Sequence, residues 1–234
     1  MSFKASRYVP FMAGGRRIGW LQPELAARLA SFPHVFSAGA ERVNLLDAEG
    51  LTPVVEALAK EGFIPGWRNE RYRIEDLFDI ERAAARPFGL TTQAVHLNGV
   101  AGERMWLARR SATKQIDPGM LDNLVAGGIG SGFSVLETLI KEAWEEAGIP
   151  AELARKATAG GTIQVLREVP EGVQSEIVSI YDLELPEDWL PQNQDGEVSE
   201  FKLLAFSEVE REVLTFEAAL TARDYLKRRP ARAP

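Results

Sequence analysis

Apolar and polar positions alternate along much of the second half of the chain, as they do in strands with one buried face. The alternating or β-branched runs are residues 91–100, 103–109, 162–169, 176–185 and 200–206. They predict a strand-rich C-terminal part. Two helices, 207–214 and 216–228, are predicted to follow the last strand, and the tail from Arg228 onward is predicted to be disordered.

The N-terminal part combines short strands with helices, which indicates a small α+β unit. The predicted strands are 7–12, 17–21 and 43–46, with a turn at 13–16, and the predicted helices are 23–30, 52–60 and the charged stretch 74–85. The sequence Arg86-Pro87-Phe88-Gly89 then interrupts the pattern, because proline and glycine mark loops. We therefore expect one domain over residues 1–88 and a second over residues 89–234.

One helix has clear signals at both ends. Ser134 and Glu137 have the spacing of a capping box, which places Ser134 at the N-cap. Gly148 and Pro150 mark the end of the helix. Between these signals, apolar residues at positions 135, 136, 139, 140, 143 and 147 fall on one arc, which we expect to pack on the core.

Three glutamates of this helix, Glu142, Glu145 and Glu146, occupy the neighbouring arc. Like charges at this spacing destabilise an exposed helix by about 0.2–0.5 kcal/mol per pair. They also lie near the C-terminus, where the helix dipole is already negative. The helix alone leaves two interpretations open. One is a solvated acidic face, and the other is a site for a divalent cation, since Mg²⁺ prefers oxygen ligands.

Four glycines, at positions 127, 128, 130 and 132, precede the helix. Glycine is used where a ligand approaches the backbone closely, and free N–H groups at a helix N-terminus attract anions. We expect a glycine-rich loop that binds substrate through Gly127 and Gly128. A flexible surface loop would also account for the glycines, although not for their position beside this helix.

Composition removes several classes of function. The chain has 234 residues, no cysteine, a net charge of -7 and only two histidines, His34 and His96. Thiolate sites, histidine-based metal sites and histidine-dependent triads are therefore disfavoured. The acidic balance argues against a nucleic-acid polymer as partner. The sequence contains no apolar run long enough to predict a membrane span or a signal peptide. A cytoplasmic location is therefore expected.

The run from Gly127 to Ile149 resembles the Nudix box, whose glycine and glutamates recur at fixed spacing. The residues in register with that pattern are Gly127, Glu142, Ala143, Glu145, Glu146, Gly148 and Ile149. Two positions depart from it. Phe133 stands where the family usually has its first glutamate, and Lys141 replaces an arginine, which keeps the charge but loses the bidentate fork.

The resemblance implies a fold of the mixed α/β (α+β) class, an α/β/α sandwich with a mixed sheet. It also implies a hydrolase that cleaves the diphosphate linkage of a small molecule. In the family, the glutamates at positions 142, 145 and 146 hold Mg²⁺ or Mn²⁺ against the diphosphate. We therefore expect Glu142, Glu145 and Glu146 to be the metal ligands and catalytic groups.

Further candidates lie outside the helix. An acidic turn at 195–201 supplies Glu197 as a fourth catalytic glutamate, with Glu200 as the next choice and a plain hairpin turn as the alternative. We expect Arg109, Lys114 and Lys141 to bind substrate phosphates, because fixed cations balance charge that a metal leaves. Arg110 lies in the same basic segment, which a solvated loop would explain equally well.

The whole arrangement resembles one Nudix subgroup, the proteins related to the Nudix portion of thiamine pyrophosphokinase fusion proteins. That resemblance implies a thiamine diphosphate-like or oxidised nucleoside diphosphate substrate. A catalytically weak domain that senses a nucleotide or cofactor is the alternative, and Phe133 and Lys141 favour it. An isopentenyl diphosphate isomerase is set aside, because that family uses a cysteine. A homodimer is left open.

The segment 63–72 is the last feature of interest. It combines Trp67 with basic and amide side chains in a predicted loop, and such a mixture can orient a planar heterocycle. The alternative is that its aromatic residues close the core of the small N-terminal domain.

Overall fold

The computed structural model describes residues 3–229, which form two compact units. The first unit contains the chain up to Thr92, together with Gly130–Gly132 and Gln164–Ile177. The second contains Gln93–Ile129, Phe133–Ile163 and the chain from Val178. Two later segments thus belong with the N-terminal part, an arrangement that a single boundary in the sequence does not describe.

The first unit is built on a four-stranded sheet and two helices. The elements are β1 (Val9–Ala13), β2 (Arg16–Leu21), α1 (Pro23–Leu29), β3 (Phe36–Ala38), β4 (Val43–Leu45) and α2 (Leu51–Lys60). The strand order is β2-β1-β4-β3, with β1 parallel to β4. The ring of Phe11 lies 5.4 Å from that of Phe88 and 6.1 Å from that of Phe36, so aromatic packing fills this core.

The prediction of a helix over residues 74–85 is wrong. This stretch contributes to the antiparallel hairpin β5 (Arg71–Ile74) and β6 (Phe78–Glu81), followed by a 3-10 turn at Arg82–Ala84. Tyr72 and Ile74 on one strand, and Phe78 and Ile80 on the other, are buried at every second position. That period of two is the signature of a strand, and the high charge of the stretch obscured it.

A seven-stranded sheet with helices lies mainly in the second unit, although residues 91–92 and 164–177, which include parts of three of its strands, belong to the first. Its elements are β7 (Thr91–Ala101), β8 (Arg104–Arg110), β9 (Leu121–Asn123), β10 (Val125–Gly128), α3 (Val135–Ala147), α4 (Ala151–Ala154), β11 (Thr158–Val169), β12 (Gly172–Glu184), β13 (Val198–Ala205), α5 (Phe206–Val209) and α6 (Phe216–Arg228). The strand order is β11-β12-β7-β8-β13, while β10 pairs with β7 and β9 pairs with β8.

Helices cover both faces of this sheet. Trp106 on β8 belongs to the apolar cluster under α3, whereas its neighbours Met105 and Leu107 belong to the cluster that contains Ala218 and Ala222 of α6. Successive residues of a strand point to opposite faces, so α3 and α6 lie on opposite sides of the sheet. This is the layered α/β/α arrangement that the Nudix resemblance implies.

Several predicted elements need adjustment. The five predicted strands of this part are present, with ends shifted by a few residues. The helix predicted over 207–214 is only the short α5, and Leu136, predicted to be in the core, is 45% exposed. Arg228 ends α6 and is ordered in it, while the predicted disordered tail lies mainly in residues 230–234, outside the described residues. Among the described residues, no helix is long and apolar enough to cross a membrane.

We predict that replacing Gly89 by alanine destabilises the first unit. Gly89 has a φ of +57°, and a Cβ would collide with the backbone oxygen of Trp20 and lie 2.7 Å from its nitrogen. Gly14 is a matched control, because its φ is +56° and nothing lies within 4 Å of its Cβ position. Gly14→Ala should cost about 1–2 kcal/mol, the left-handed penalty alone.

Gly89→Ala should lower the free energy of unfolding in urea by at least about 1 kcal/mol more than Gly14→Ala, since the colliding atoms are backbone. Equal losses for the two variants would show that the backbone at Gly89 can move aside without cost.

Candidate active site

Helix α3 begins and ends where the sequence predicts. The backbone N–H of Glu137 donates to Ser134 Oγ over 3.2 Å, and the N–H of Ser134 donates to the Glu137 carboxylate over 2.9 Å. Gly148 terminates the helix with a φ of +69°. The carboxylate of Glu137 is thus used by the cap, and both ends of the helix are defined.

Gly127 and Gly128 do not lie in a loop, which corrects the prediction for them. Both belong to β10, opposite Val95 and Ala94 of β7. A Cβ on Gly127 would overlap the Glu142 side chain and lie 2.6 Å from its carboxyl carbon. The glycine is therefore required by the close approach of Glu142 to the strand. Gly127 therefore contributes to the site by leaving room for the Glu142 side chain, and it does so from a strand and not from a loop.

Glu146 is held against the same strand. Its side chain is 5% exposed, and Oε2 accepts a hydrogen bond of 2.8 Å from the backbone N–H of Ala126. Burial raises the pKa of the Glu146 carboxyl well above its usual range, and burial also raises the pKa of Glu142. Adjacent residues of β10 thus hold two carboxylates whose charged forms are short of compensating positive charge.

Two lysines supply part of that charge. The ammonium of Lys141 lies 3.1 Å from Glu142 Oε1 and 2.6 Å from Glu145 Oε2. The ammonium of Lys114 lies 3.7 Å from Glu146 Oε1 and also contacts Glu197. The structure therefore gathers all four predicted acidic residues around two cationic groups, and Lys114 and Lys141 lie where the sequence expects them.

A divalent cation matches this set of donors in chemistry. Among residues 3–229, no three acidic or histidine side chains are arranged to hold a metal ion as they stand. The ion pairs give a reason, because one oxygen of each of Glu142, Glu145 and Glu146 already faces an ammonium group. Displacement of the two ammonium groups by a divalent cation would leave it the clustered carboxylate oxygens that Mg²⁺ prefers.

Arg109 does not join the glutamates, contrary to the prediction. Its Nε donates to Glu200 over 2.6 Å and its guanidinium donates to the carbonyl of Gly119 over 2.8 Å. Arg110, on the opposite face of β8, shares a small cavity with Lys114 and Glu146. Arg110 therefore takes the position expected for Arg109. Glu200 is withdrawn from the site by the same ion pair.

A buried polar network behind the site was missed from the sequence. Asp122 accepts a 2.9 Å hydrogen bond from Arg110, and Asn123 donates to Asn98 over 2.8 Å. His96 Nδ1 lies 2.7 Å from the Asn123 side-chain oxygen, which also accepts from Thr221 over 2.6 Å. The usable signal was the polar pair at 122–123 between two buried leucines. The network holds Arg110 in place.

Phe133 does not enter the cluster of carboxylates and is 53% exposed. It precedes the N-cap of α3 and follows Gly132, whose φ is +86°. The Phe133 side chain supplies no metal-binding atom, so this position does not contribute a carboxylate as it usually does in the Nudix pattern.

Comparison with known families identifies the chain. The model of the NUDIX domain matches residues 89–227, and residues 1–92 match a domain of unknown function, DUF4743. The chain therefore belongs to the Nudix family.

Two curated relatives come from Arabidopsis thaliana. Nudix hydrolase 24, chloroplastic, is 36% identical over 226 residues, and Nudix hydrolase 20, chloroplastic, is 35% identical over 235 residues. The matches cover 88% and 89% of this chain but 62% and 63% of the relatives. The chain thus spans less than two thirds of the length of these relatives.

A solved structure from Deinococcus radiodurans, the DR0079 protein, shares the fold. It has 20% sequence identity and a TM-score of 0.52, and the match covers 66% of this chain and 96% of that one. The predicted fold class, a mixed α+β Nudix fold preceded by an N-terminal α/β region, is confirmed.

We predict that Gly127→Ala displaces Glu142 from β10. The added methyl group would occupy the position of the Glu142 side chain, and overpacking of this kind costs about 1–3 kcal/mol. Gly39 is a suitable control, since its Cβ position has only the Arg42 oxygen nearby, at 3.6 Å. Urea denaturation should show the larger loss for Gly127→Ala, and equal losses for the two variants would contradict the close packing.

Proposed function

We propose that this protein is a metal-dependent hydrolase that cleaves a diphosphate linkage in a small molecule. The observation that carries the proposal is the pair of buried carboxylates, Glu142 and Glu146, held against β10 beside Glu145 and Glu197. A globular protein gains no stability from such crowding, because burial opposes the charged forms. Membership of the Nudix family supports the same conclusion.

Glu142, Glu145 and Glu146 would hold Mg²⁺ or Mn²⁺, which would neutralise phosphate charge and polarise the phosphorus towards water. Lys114 and Arg110 would bind the phosphate oxygens, since both line the cavity beside Glu146. Lys141 would balance the carboxylates of Glu142 and Glu145, which it already contacts. Glu197 is 44% exposed, so it can reach solvent and accept the proton of the attacking water.

The substrate class follows from resemblance and not from these contacts. Resemblance to the subgroup related to the Nudix portion of thiamine pyrophosphokinase fusion proteins implies either a thiamine diphosphate-like compound or an oxidised nucleoside diphosphate. The alternative function, a domain that binds a nucleotide or cofactor as a sensor, is favoured by the exposed Phe133 and by Lys141. Retention of all three glutamates on α3 argues against it.

We also propose a domain organisation, a location and a class of partner for the protein. The chain would comprise an N-terminal domain over residues 1–88, with a role in substrate recognition, and a hydrolase domain over residues 89–234. It would act in the cytoplasm on a small-molecule substrate and not on a nucleic-acid polymer. A homodimer remains an open alternative to a monomer.

We predict that Glu146→Gln removes hydrolysis while preserving the fold. The glutamine oxygen can still accept the hydrogen bond from Ala126, but the charge that would bind the metal is gone. Cleavage of a panel of diphosphates with Mg²⁺ or Mn²⁺, measured by the monophosphate products that form, should fall about 100-fold or more. Glu152→Gln, an exposed residue of α4, is the control and should retain activity.

The panel should include thiamine diphosphate analogues, ADP-ribose, NADH and 8-oxo-dGDP. Unchanged hydrolysis by Glu146→Gln would refute the assignment of the metal ligands. Tight binding of one compound that stays intact at high protein concentration would instead favour the sensor.

We predict that Lys114→Gln weakens substrate binding more than it slows turnover. The ammonium is buried beside Glu146 and Glu197, where a charge-assisted hydrogen bond to phosphate is worth about 1.5–3 kcal/mol. KM should therefore rise about tenfold or more. Lys202→Gln on β13 controls for the loss of one positive charge, and an equal KM for both variants would remove Lys114 from the binding site.

A further inference from the structure

The first unit contains a cavity of about 220 Å³ between α2 and the hairpin of β5 and β6. Leu51 and Val55 of α2 and Ile80 of β6 supply apolar surface on its walls. Drug-sized ligands occupy cavities of about 300–1,000 Å³, so this one has room for a single ring with small substituents.

One wall of the cavity carries a fixed aromatic ring. The indole N–H of Trp67 donates to the Asn69 side-chain oxygen over 2.8 Å, and Asn69 has a φ of +58°, a left-handed conformation uncommon outside glycine. Trp67 is nevertheless 37% exposed. The same segment sends Phe63 and Ile64 to the core, so core packing does not explain Trp67. The indole is oriented but not covered.

The polar groups of the cavity have an excess of negative charge. Glu56, Asp79 and Glu81 contribute three carboxylates, and Arg71 contributes the one cationic group among the lining residues. Asp79 is also paired with Arg73, over 3.4 Å, so the carboxylates still exceed the two guanidinium groups by one. Arg71 reaches across the cavity to the Thr52 hydroxyl, at 3.4 Å. Glu81 is 7% exposed and accepts hydrogen bonds from the backbone N–H groups of Arg68 and Ala83, so its carboxylate is fixed in place.

We propose that this cavity binds a small planar heterocycle that carries positive charge or amino groups, stacked on Trp67 and paired with the carboxylates of Glu56, Asp79 and Glu81. A cation over an indole face is stabilised by the ring quadrupole, and the carboxylates add a direct Coulomb attraction. An anionic ring of the same shape would meet the same carboxylates as a repulsion. The site lies within the first unit, and binding to it can be measured without hydrolysis.

A charge series on one ring tests the proposal. Isothermal titration of the full chain would compare N1-methylnicotinamide, which is a cation, with neutral nicotinamide and anionic nicotinate. The cation should bind about tenfold more tightly than the neutral compound, and nicotinate should bind more weakly than both. The affinity of N1-methylnicotinamide should fall with added salt, because the attraction between the cation and the carboxylates is screened.

Variants of the lining residues locate the binding. Trp67→Ala should weaken binding of N1-methylnicotinamide about tenfold, as should the double variant Glu56→Gln with Asp79→Asn. Trp20→Phe and Glu24→Gln, which lie in the same unit but do not line the cavity, should leave the affinity unchanged. Glu146→Gln should also leave it unchanged, which excludes binding at the glutamates of α3.

Three results would overturn the proposal. They are similar affinity for all three compounds, no heat of binding at millimolar concentration, and affinity that survives both lining variants. Urea unfolding of Trp67→Ala would establish that a loss of binding is not a loss of the fold. Hydrolysis is not measured in this test, so the hydrolase proposal and the cavity proposal can fail separately.

Discussion

The close contact between α3 and β10 is the constraint on which the candidate active site depends. The backbone of β10 binds Glu146 through Ala126, and the missing side chain at Gly127 makes room for Glu142. Both contacts require α3 to have one rotation about its axis, which the burial of Leu139, Ala143 and Ala147 in the apolar cluster also favours. A shift of one residue in this helix would move the carboxylates about 100° around the axis and dissolve the cluster.

The same contact creates an electrostatic cost that other residues offset. Burial raises the pKa of Glu142 and Glu146, so their ionised forms need positive charge nearby. Lys141 and Lys114 supply it from a helix and from a loop, and Asp122 in turn holds Arg110, which lines the same cavity as Lys114. Buried like charges lie close together at the glutamates, whereas the cap and the apolar face of α3 follow the usual patterns of a stable helix. Such a local departure from stabilising patterns is typical of a functional site.

How much the sequence predicted depends on how local each signal is. Helix α3, its cap, its end and the cluster of glutamates follow from residues within four positions of each other, and all were predicted. The pairing of Arg109 with Glu200 was not predicted, because the neighbours of a side chain on β8 depend on the pairing of β8 with β9 and β13. The hairpin at 71–81 was missed because its charges outweighed a short period of two. The buried network of His96, Asn98 and Asn123 needs contacts between distant strands, and no local pattern reports them.

The replacement of the family's arginine by Lys141 has a physical consequence for the site. An arginine would hold a carboxylate with two parallel hydrogen bonds and a planar group, whereas a lysine is a mobile point charge on a flexible stem. Lys141 is 47% exposed and bridges Glu142 and Glu145 by its ammonium alone. It can therefore leave for solvent at little cost when another cation approaches, and exposed ion pairs of this kind contribute at most about 1 kcal/mol. The lysine keeps α3 stable without a metal and does not compete strongly with one, so this departure from the Nudix pattern is compatible with hydrolysis.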